Sequence, residues 1–239
     1  MCDRAIPTGN PVGIFVMRIV IIANGDPPAR DELARWLDND AVLICADGGA
    51  RVALSHGLKP AHVIGDFDSL SEADLRALEA GGAQLHRYSP RKDETDLELA
   101  LLLAARLLAG DPHAEIVILG AVGGRLDHEL ANMMLLAMPA LKRIKTWLVH
   151  GQERIFLLDA RDGPAQLVLH GRAGDVVSLL PFGGDAHGIR TSGLEYPLND
   201  EPLLLGPARG VSNVLLGSQA TIALRQGMLL CIQSTQQEV

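Results

Sequence analysis

A chain of 239 residues that is 48% hydrophobic has enough apolar material for one large core or two modest ones. Its formal net charge of −8, with no basic run, excludes nucleic acid as a partner, since a phosphate backbone is held by clustered Lys and Arg. Cys2, Cys45 and Cys231 lie far apart without CxxC spacing, which indicates reduced thiols and a cytoplasmic location.

Residues 14–23 are apolar, but Arg18 interrupts them and they are too short to cross a bilayer, so no membrane partner is expected. Residues 18–23 read as a first strand. Residues 1–16, with their Pro and Gly, read as a poorly ordered extension, with Met17 as an alternative start. A turn at 24–28 leads to a helix at 31–37, then to a strand at 41–46 that contains Cys45 as a small core residue. Asp47-Gly48-Gly49 ends that strand, and a short helix at 50–56 is closed by Gly57. Then come a strand at 62–64, a helix at 71–80, a short strand at 84–87 and the clearest helix at 95–109, stopped by Gly110-Asp111-Pro112. A strand at 115–119, a helix at 127–138 and a strand at 145–150 complete the alternation. Strands apolar throughout and separated by helices predict a Rossmann-like, mostly parallel α/β sheet over 17–150 with helices on both faces. From 151 to 239 the pattern changes to short runs at 155–158, 167–169, 176–180, 214–216, 221–224 and 228–232, set apart by Gly, Pro, Asp and Asn. That spacing predicts an all-β sandwich.

Carboxylates gather where the predicted strands of the first segment end. In Gly65-Asp66-Phe67-Asp68-Ser69 an extended chain would turn Asp66 and Asp68 to the same side. Two like charges held that close need a cation, a proton or full hydration. Ser69 with Glu72 reads equally as a capping box for the next helix. Similar acids recur at Asp47, Asp93, Asp96 and Asp127. P-loop, Gly-x-Gly-x-x-Gly and Gly-x-Ser-x-Gly motifs are absent, and His and Cys lack zinc spacing. An oxygen-rich set suits Mg²⁺. Thr95 with Glu98 makes a second capping box, while Lys92 and the free N–H groups of the helix start suit phosphate. In Gly123-Gly124-Arg125-Leu126-Asp127-His128 the glycines permit close backbone approach and Arg125 offers a two-pronged phosphate clamp. Asp127 there reads alternatively as a helix N-cap.

Asp47-Gly48-Gly49, Gly65-Asp66-Phe67-Asp68-Ser69, Lys92-Asp93-x-Thr95-Asp96, Gly123-Gly124-Arg125-x-Asp127-His128 and Arg209-Gly210-Val211-Ser212-Asn213 occur in this order. Together they resemble the thiamin pyrophosphokinase family over about residues 17–232. The resemblance implies a homodimer of α/β and β-sandwich domains that transfers the pyrophosphoryl group of ATP to the hydroxyl of thiamin. It implies Mg²⁺ on Asp66, Asp68 and Asp96, with Asp47 as a ligand or neighbour. It also implies nucleotide contacts from Asp47, Gly48, Lys92, Asp93, Thr95, Gly123, Arg125 and His128. Thiamin would lie near Ser212 and Asn213 of the sandwich, at the subunit interface. Either Asp68 or Asp127 would accept the hydroxyl proton. Two departures stand out: Val214 occupies a position where an acidic residue commonly follows Ser-Asn, and the sandwich has no Trp. A pterin-alcohol pyrophosphokinase and a nucleotide-binding module without turnover are the competing readings.

Overall fold

Strands that are apolar on both sides are stable only when both sides are covered, and the first part of the chain is built that way. The computed structural model describes residues 17–38 and 40–235; the expected N-terminal extension and Cys2 lie outside them. Within it the chain divides after Gly151 into two compact units.

In the first unit, β1 (Arg18–Ile22), β2 (Val42–Ala46), β3 (His62–Gly65), β4 (Gln84–Arg87), β5 (Glu115–Leu119) and β6 (Lys145–His150) lie in the order β6-β5-β1-β2-β3-β4. Every neighbouring pair is parallel. The connecting helices are α1 (Arg30–Trp36), α2 (Gly49–Ser55), α3 (Glu72–Ala80), α4 (Asp96–Leu107) and α5 (Leu126–Leu135). The chain steps one way from β1 to β4 and the other way from β4 through β5 to β6. Right-handed crossovers therefore assign α1–α3 to one face and α4 and α5 to the other. The order reverses between β1 and β5, and the crevice beyond the carboxyl ends of two such strands is where sheets of this kind take ligands.

All five residues of β5 are buried, Glu115 included. Its carboxylate is satisfied at the amino end of the sheet, where Arg18 Nε donates at 3.0 Å and Trp147 Nε1 at 2.6 Å. That arrangement stitches β1, β5 and β6 together far from the strand ends that carry the motifs. Cys45 is fully buried in β2, and burial pushes its thiol up to about 12, as a small core residue requires.

In the second unit, β7 (Glu153–Asp159), β8 (Ala165–His170), β9 (Val176–Pro181), β10 (Ala186–Ser192), β11 (Asn199–Leu203), β12 (Asn213–Val214), β13 (Gln219–Leu224) and β14 (Met228–Ser234) form two antiparallel arrays. One runs β12-β9-β14-β7 and the other β11-β10-β13-β8. Burial alternates along β9 and β13, so each array has one apolar face, the pattern of a sandwich.

Several expectations need correction. The helices predicted at 95–109 and 127–138 are shorter, Asp96–Leu107 and Leu126–Leu135. Ser69 does not cap α3. Ser71 does, in a box with Asp74. The run 214–216 is not a continuous strand: pairing in β12 stops at Val214, Leu215 is buried in an isolated bridge with Leu194, and Leu216 is 62% exposed. Strands β10 and β11 were not predicted.

Candidate functional site

The loops after β1, β2, β3 and β5 converge at the reversal point of the sheet. Asp47, just past β2, has φ of 45° and donates its N–H to Ile64 O at 2.8 Å, which locks it beside β3. Its carboxylate is held from two sides: Ser69 Oγ donates to Oδ1 at 2.9 Å and Asn24 Nδ2 to Oδ2 at 3.0 Å. Neither partner was expected from the sequence, although Asn24 follows its strand just as Asp47 follows β2.

Asp66 and Asp68 are brought together by a turn, not by strand alternation. Phe67 between them has φ of 66°, a conformation that is rare for a bulky residue and costs on the order of 1–3 kcal/mol. Burial of its ring offsets that cost, and Arg87 lies over the ring at 4.8 Å while donating to Asp66 O at 2.9 Å. The turn is closed by Asp68 N–H, which donates to Asp66 Oδ1 at 3.1 Å. As a result Asp47, Asp66 and Asp68 place ligand oxygens within 4.8 Å of one another. The charge of Asp66 is the chief reason that the Asp68 carboxyl is raised above the usual carboxylate range. Oxygen donors alone, crowded and mutually repelling, are a donor set that fits a hard cation such as Mg²⁺.

Asp96, the first residue of α4, stands outside this triad, although its charge also acts on Asp68. It is paired with Lys92 Nζ at 2.8 Å. Thr95 caps α4 through Oγ1, which accepts from Glu98 N–H at 3.1 Å.

A cleft of about 470 Å³ opens at the reversal point. Asp47, Asp66, Lys92, Thr95, Asp96, Gly123, Arg125 and His128 line it, whereas Asp68, Gly48, Asp93 and Asp127 do not. Its floor is where the loops after β1 and β5 touch: Gly25 N–H donates to Gly120 O at 2.6 Å, and a Cβ on Gly25 would come within 2.4 Å of Val122 O. Gly123, at φ of 95°, abuts the Asp26 carboxylate so closely that a Cβ would fall 2.0 Å from Asp26 Cγ. Glu129 and Asn132 of α5 reach back to hold this loop, at Gly123 N–H (2.9 Å) and Ala121 O (2.8 Å).

Arg125 occupies the N-cap position of α5 that was expected for Asp127. Its Nε and Nη2 donate to Asp127 Oδ1 and Oδ2 at 3.1 and 2.6 Å, both side chains being largely exposed. The guanidinium beside it holds the Asp127 carboxyl below the usual range. This two-pronged geometry is the one that a phosphate would accept in place of the carboxylate.

In the second unit Ser212 is exposed, with φ of 58°, and donates its N–H to Ser178 Oγ at 3.0 Å. Asn213 is buried, and its side-chain amide makes hydrogen bonds within the unit to Tyr196 N–H and O and to Val214 N–H.

Comparison with known proteins bears on both units. The family model for the thiamin pyrophosphokinase catalytic domain matches residues 33–148, and that for the thiamin pyrophosphokinase vitamin B1 binding domain matches residues 166–229. The thiamine pyrophosphokinase of Bacillus subtilis is 34% identical over 217 residues, which cover 91% of this chain and 98% of that protein. Its crystal structure is similar with a TM-score of 0.79 at 31% identity, covering 92% of this chain and all of that one. The crystal structure of the Geobacillus thermodenitrificans thiamin pyrophosphokinase is similar with a TM-score of 0.76 at 27% identity, covering 93% and 99% of the two chains.

Proposed function

Because the chain belongs to the thiamin pyrophosphokinase family, we propose that it transfers the pyrophosphoryl group of ATP to the hydroxyl of thiamin, giving thiamin diphosphate and AMP. The observation that carries this reading is the triad of Asp47, Asp66 and Asp68 beside a cleft at the reversal point of the sheet. The first unit binds nucleotide and metal, and the second binds thiamin. The match of the second unit to the B1 binding domain speaks against a pterin alcohol as acceptor.

Catalysis in such a site is mainly positioning and electrostatic stabilisation. The triad, joined by Asp96, would hold Mg²⁺, which when bound neutralises charge on the transferring phosphates. Lys92 and Arg125 bind phosphate oxygens, each exchanging its carboxylate partner, Asp96 or Asp127, for the nucleotide. Once Arg125 has turned to phosphate, Asp127 is released, so the hydroxyl proton passes to Asp127 or to Asp68. Release of AMP that requires both thiamin and Mg²⁺ tests the reading. A binding module would release none, and a pterin enzyme would respond to the pterin alcohol instead.

Arg125→Lys is expected to raise the KM for ATP by about tenfold, because an ammonium cannot reproduce two parallel hydrogen bonds. Steady-state kinetics at saturating thiamin check this; an unchanged KM would leave Arg125 as a surface partner of Asp127.

The protein also acts as a homodimer in the cytoplasm, with thiamin bound by the second unit of one subunit against the catalytic cleft of the other. Free, buried Cys45 and Cys231 accord with a reducing compartment, and no helix among the described residues is long and apolar enough to cross a membrane. Mixing Ser212→Ala with Asp66→Asn subunits tests the shared site. After random exchange half of the dimers are mixed, each with one intact site of two, so about one quarter of parental activity is expected to return. If complete exchange restores nothing, each site is built within one subunit.

A further inference from the structure

The carboxylate triad hangs on a backbone conformation that its own residue disfavours. Phe67, between Asp66 and Asp68, holds φ of 66°, where a bulky side chain is rare. Turning over the peptide plane between Asp66 and Phe67 would return Phe67 to negative φ, the same exchange that separates the common turn types. It would also swing Asp66 O to the other side and re-aim the two carboxylates that flank the turn. From inside, the turn is closed by Asp68 N–H on Asp66 Oδ1 at 3.1 Å and by Leu70 N–H on Phe67 O at 3.3 Å. Neither bond is made by the peptide group that has to stay unflipped.

The side chain that does hold this peptide is Arg87, which falls outside all five sequence motifs. It is the last residue of β4, the edge strand of the parallel array, and is paired there with Gly65. Tyr88 N–H donates to Gly65 O at 2.9 Å and fixes the two strand ends side by side. From that position Arg87 Nη1 donates to Asp66 O at 2.9 Å, and the guanidinium lies 4.8 Å from the centre of the Phe67 ring. One exposed side chain thus pins the carbonyl of the strained peptide and covers the ring of the strained residue. Packing alone does not do this. A groove of about 350 Å³ lies against Phe67 between α3 and β4, with Leu75, Leu85, Arg76 and Arg87 also on its walls.

We infer that Arg87 is a positioning residue of the metal site, clamping the Asp66–Phe67 peptide so that Asp66 and Asp68 meet a divalent cation already arranged. The inference rests on the metal part of the reading above. Its sign is opposite to the one that charge alone would give. A guanidinium beside three carboxylates repels a second cation, so by Coulomb's law its removal would tighten metal binding. A clamp works the other way, because a site that is correctly arranged only part of the time binds more weakly by that fraction.

The experiment titrates Mn²⁺, standing in for Mg²⁺, into the nucleotide-free full chain by calorimetry. The parent is compared with Arg87→Met, Arg87→Lys, Phe67→Gly and Phe67→Gly combined with Arg87→Met. Arg87→Met keeps an apolar stem but no donor and no charge, and is expected to weaken Mn²⁺ about tenfold, the scale of one charge-assisted hydrogen bond. Arg87→Lys can still donate to Asp66 O and should lose about threefold. Glycine adopts positive φ freely, so in Phe67→Gly the further change Arg87→Met should cost no more than about twofold. The Mg²⁺ concentration for half-maximal AMP release should rise in the same order. A merely structural arginine would instead lower the metal-free melting temperature and leave Mn²⁺ affinity as it was. Unchanged or tighter Mn²⁺ binding in Arg87→Met overturns the inference, as does an equal loss with and without Phe67. Should Phe67→Gly fail to fold, the sign of the Arg87→Met effect decides alone. If the parent binds Mn²⁺ but releases no AMP with thiamin, the acceptor reading fails while Arg87 is still judged by the titration. If the parent binds no Mn²⁺, the metal reading and this inference fall together.

Discussion

Turnover is expected to fall by about 10³-fold in Asp66→Asn, on the scale of removing one preorganised electrostatic contact from an active site, while the metal-free fold becomes no less stable. The two halves of that expectation come from one geometry. Asp47, Asp66 and Asp68 crowd their oxygens within 4.8 Å, and the Asp66 charge is the largest influence on Asp68. Neutralising Asp66 relieves that repulsion in the absence of a cation. The amide oxygen introduced by Asp66→Asn would still accept from Asp68 N–H, so the turn around Phe67 keeps its closing bond. With Mg²⁺ the sign reverses. The parent should gain melting temperature on adding the metal, by mass action, and the variant should lose most of that gain. Melting curves with and without Mg²⁺, beside AMP release, read both halves. Near-parental activity at limiting Mg²⁺ would remove Asp66 from the metal site, and a large drop in metal-free melting temperature would make it a structural residue.

Why Asp66 and Asp68 were legible while their geometry was not is a matter of one torsion. Two acids at a strand end can be read from sequence, but a phenylalanine at φ of 66° cannot, because intrinsic preference argues against it. The parallel strands β1, β2, β3 and β5 were readable to within about one residue because burial on both faces leaves nearly unbroken apolar runs. Strand β10 was hidden because its register shifts between Ala186 and Ile189 and between Ile189 and Arg190, which destroys the alternation. Strand β11, with the sequence Asn-Asp-Glu-Pro-Leu, lies at the edge of its array and buries only Leu203. In the site, residue 24 was read only as part of a turn and Ser69 as a helix cap, because both act by holding Asp47, and partners 23 and 22 residues away leave no local spacing to detect.

The Asp47-Gly48-Gly49 motif carries the last prediction, because its second glycine faces the sheet and not the cleft. Gly49 is buried at the start of α2, and a Cβ there would lie 2.0 Å from Ile22 O and 2.7 Å from Ile22 C. Those atoms are the end of β1, which is hydrogen-bonded in register to β2 and β5 on either side and cannot withdraw. Gly49→Ala is therefore expected to destabilise by about 3 kcal/mol, the upper end of overpacking costs. At 2–4 °C per kcal/mol for a chain of this size, the melting temperature should drop by roughly 6–12 °C. The comparison that isolates the cause is Gly57→Ala. Gly57 has φ of 67° but nothing within 4 Å of an added Cβ, so only the left-handed backbone is penalised, by about 1–2 kcal/mol. Calorimetric melting of the two variants side by side should place Gly49→Ala well below Gly57→Ala. The functional consequence separates them too. Pushing α2 off β1 moves Asp47, two residues earlier, away from Asn24 and Ser69, so Gly49→Ala should lose turnover at temperatures where it remains folded, whereas Gly57→Ala should keep it. Equal melting temperatures, or full activity in folded Gly49→Ala, would mean that the approach of α2 to β1 is looser than the 2.0 Å contact requires.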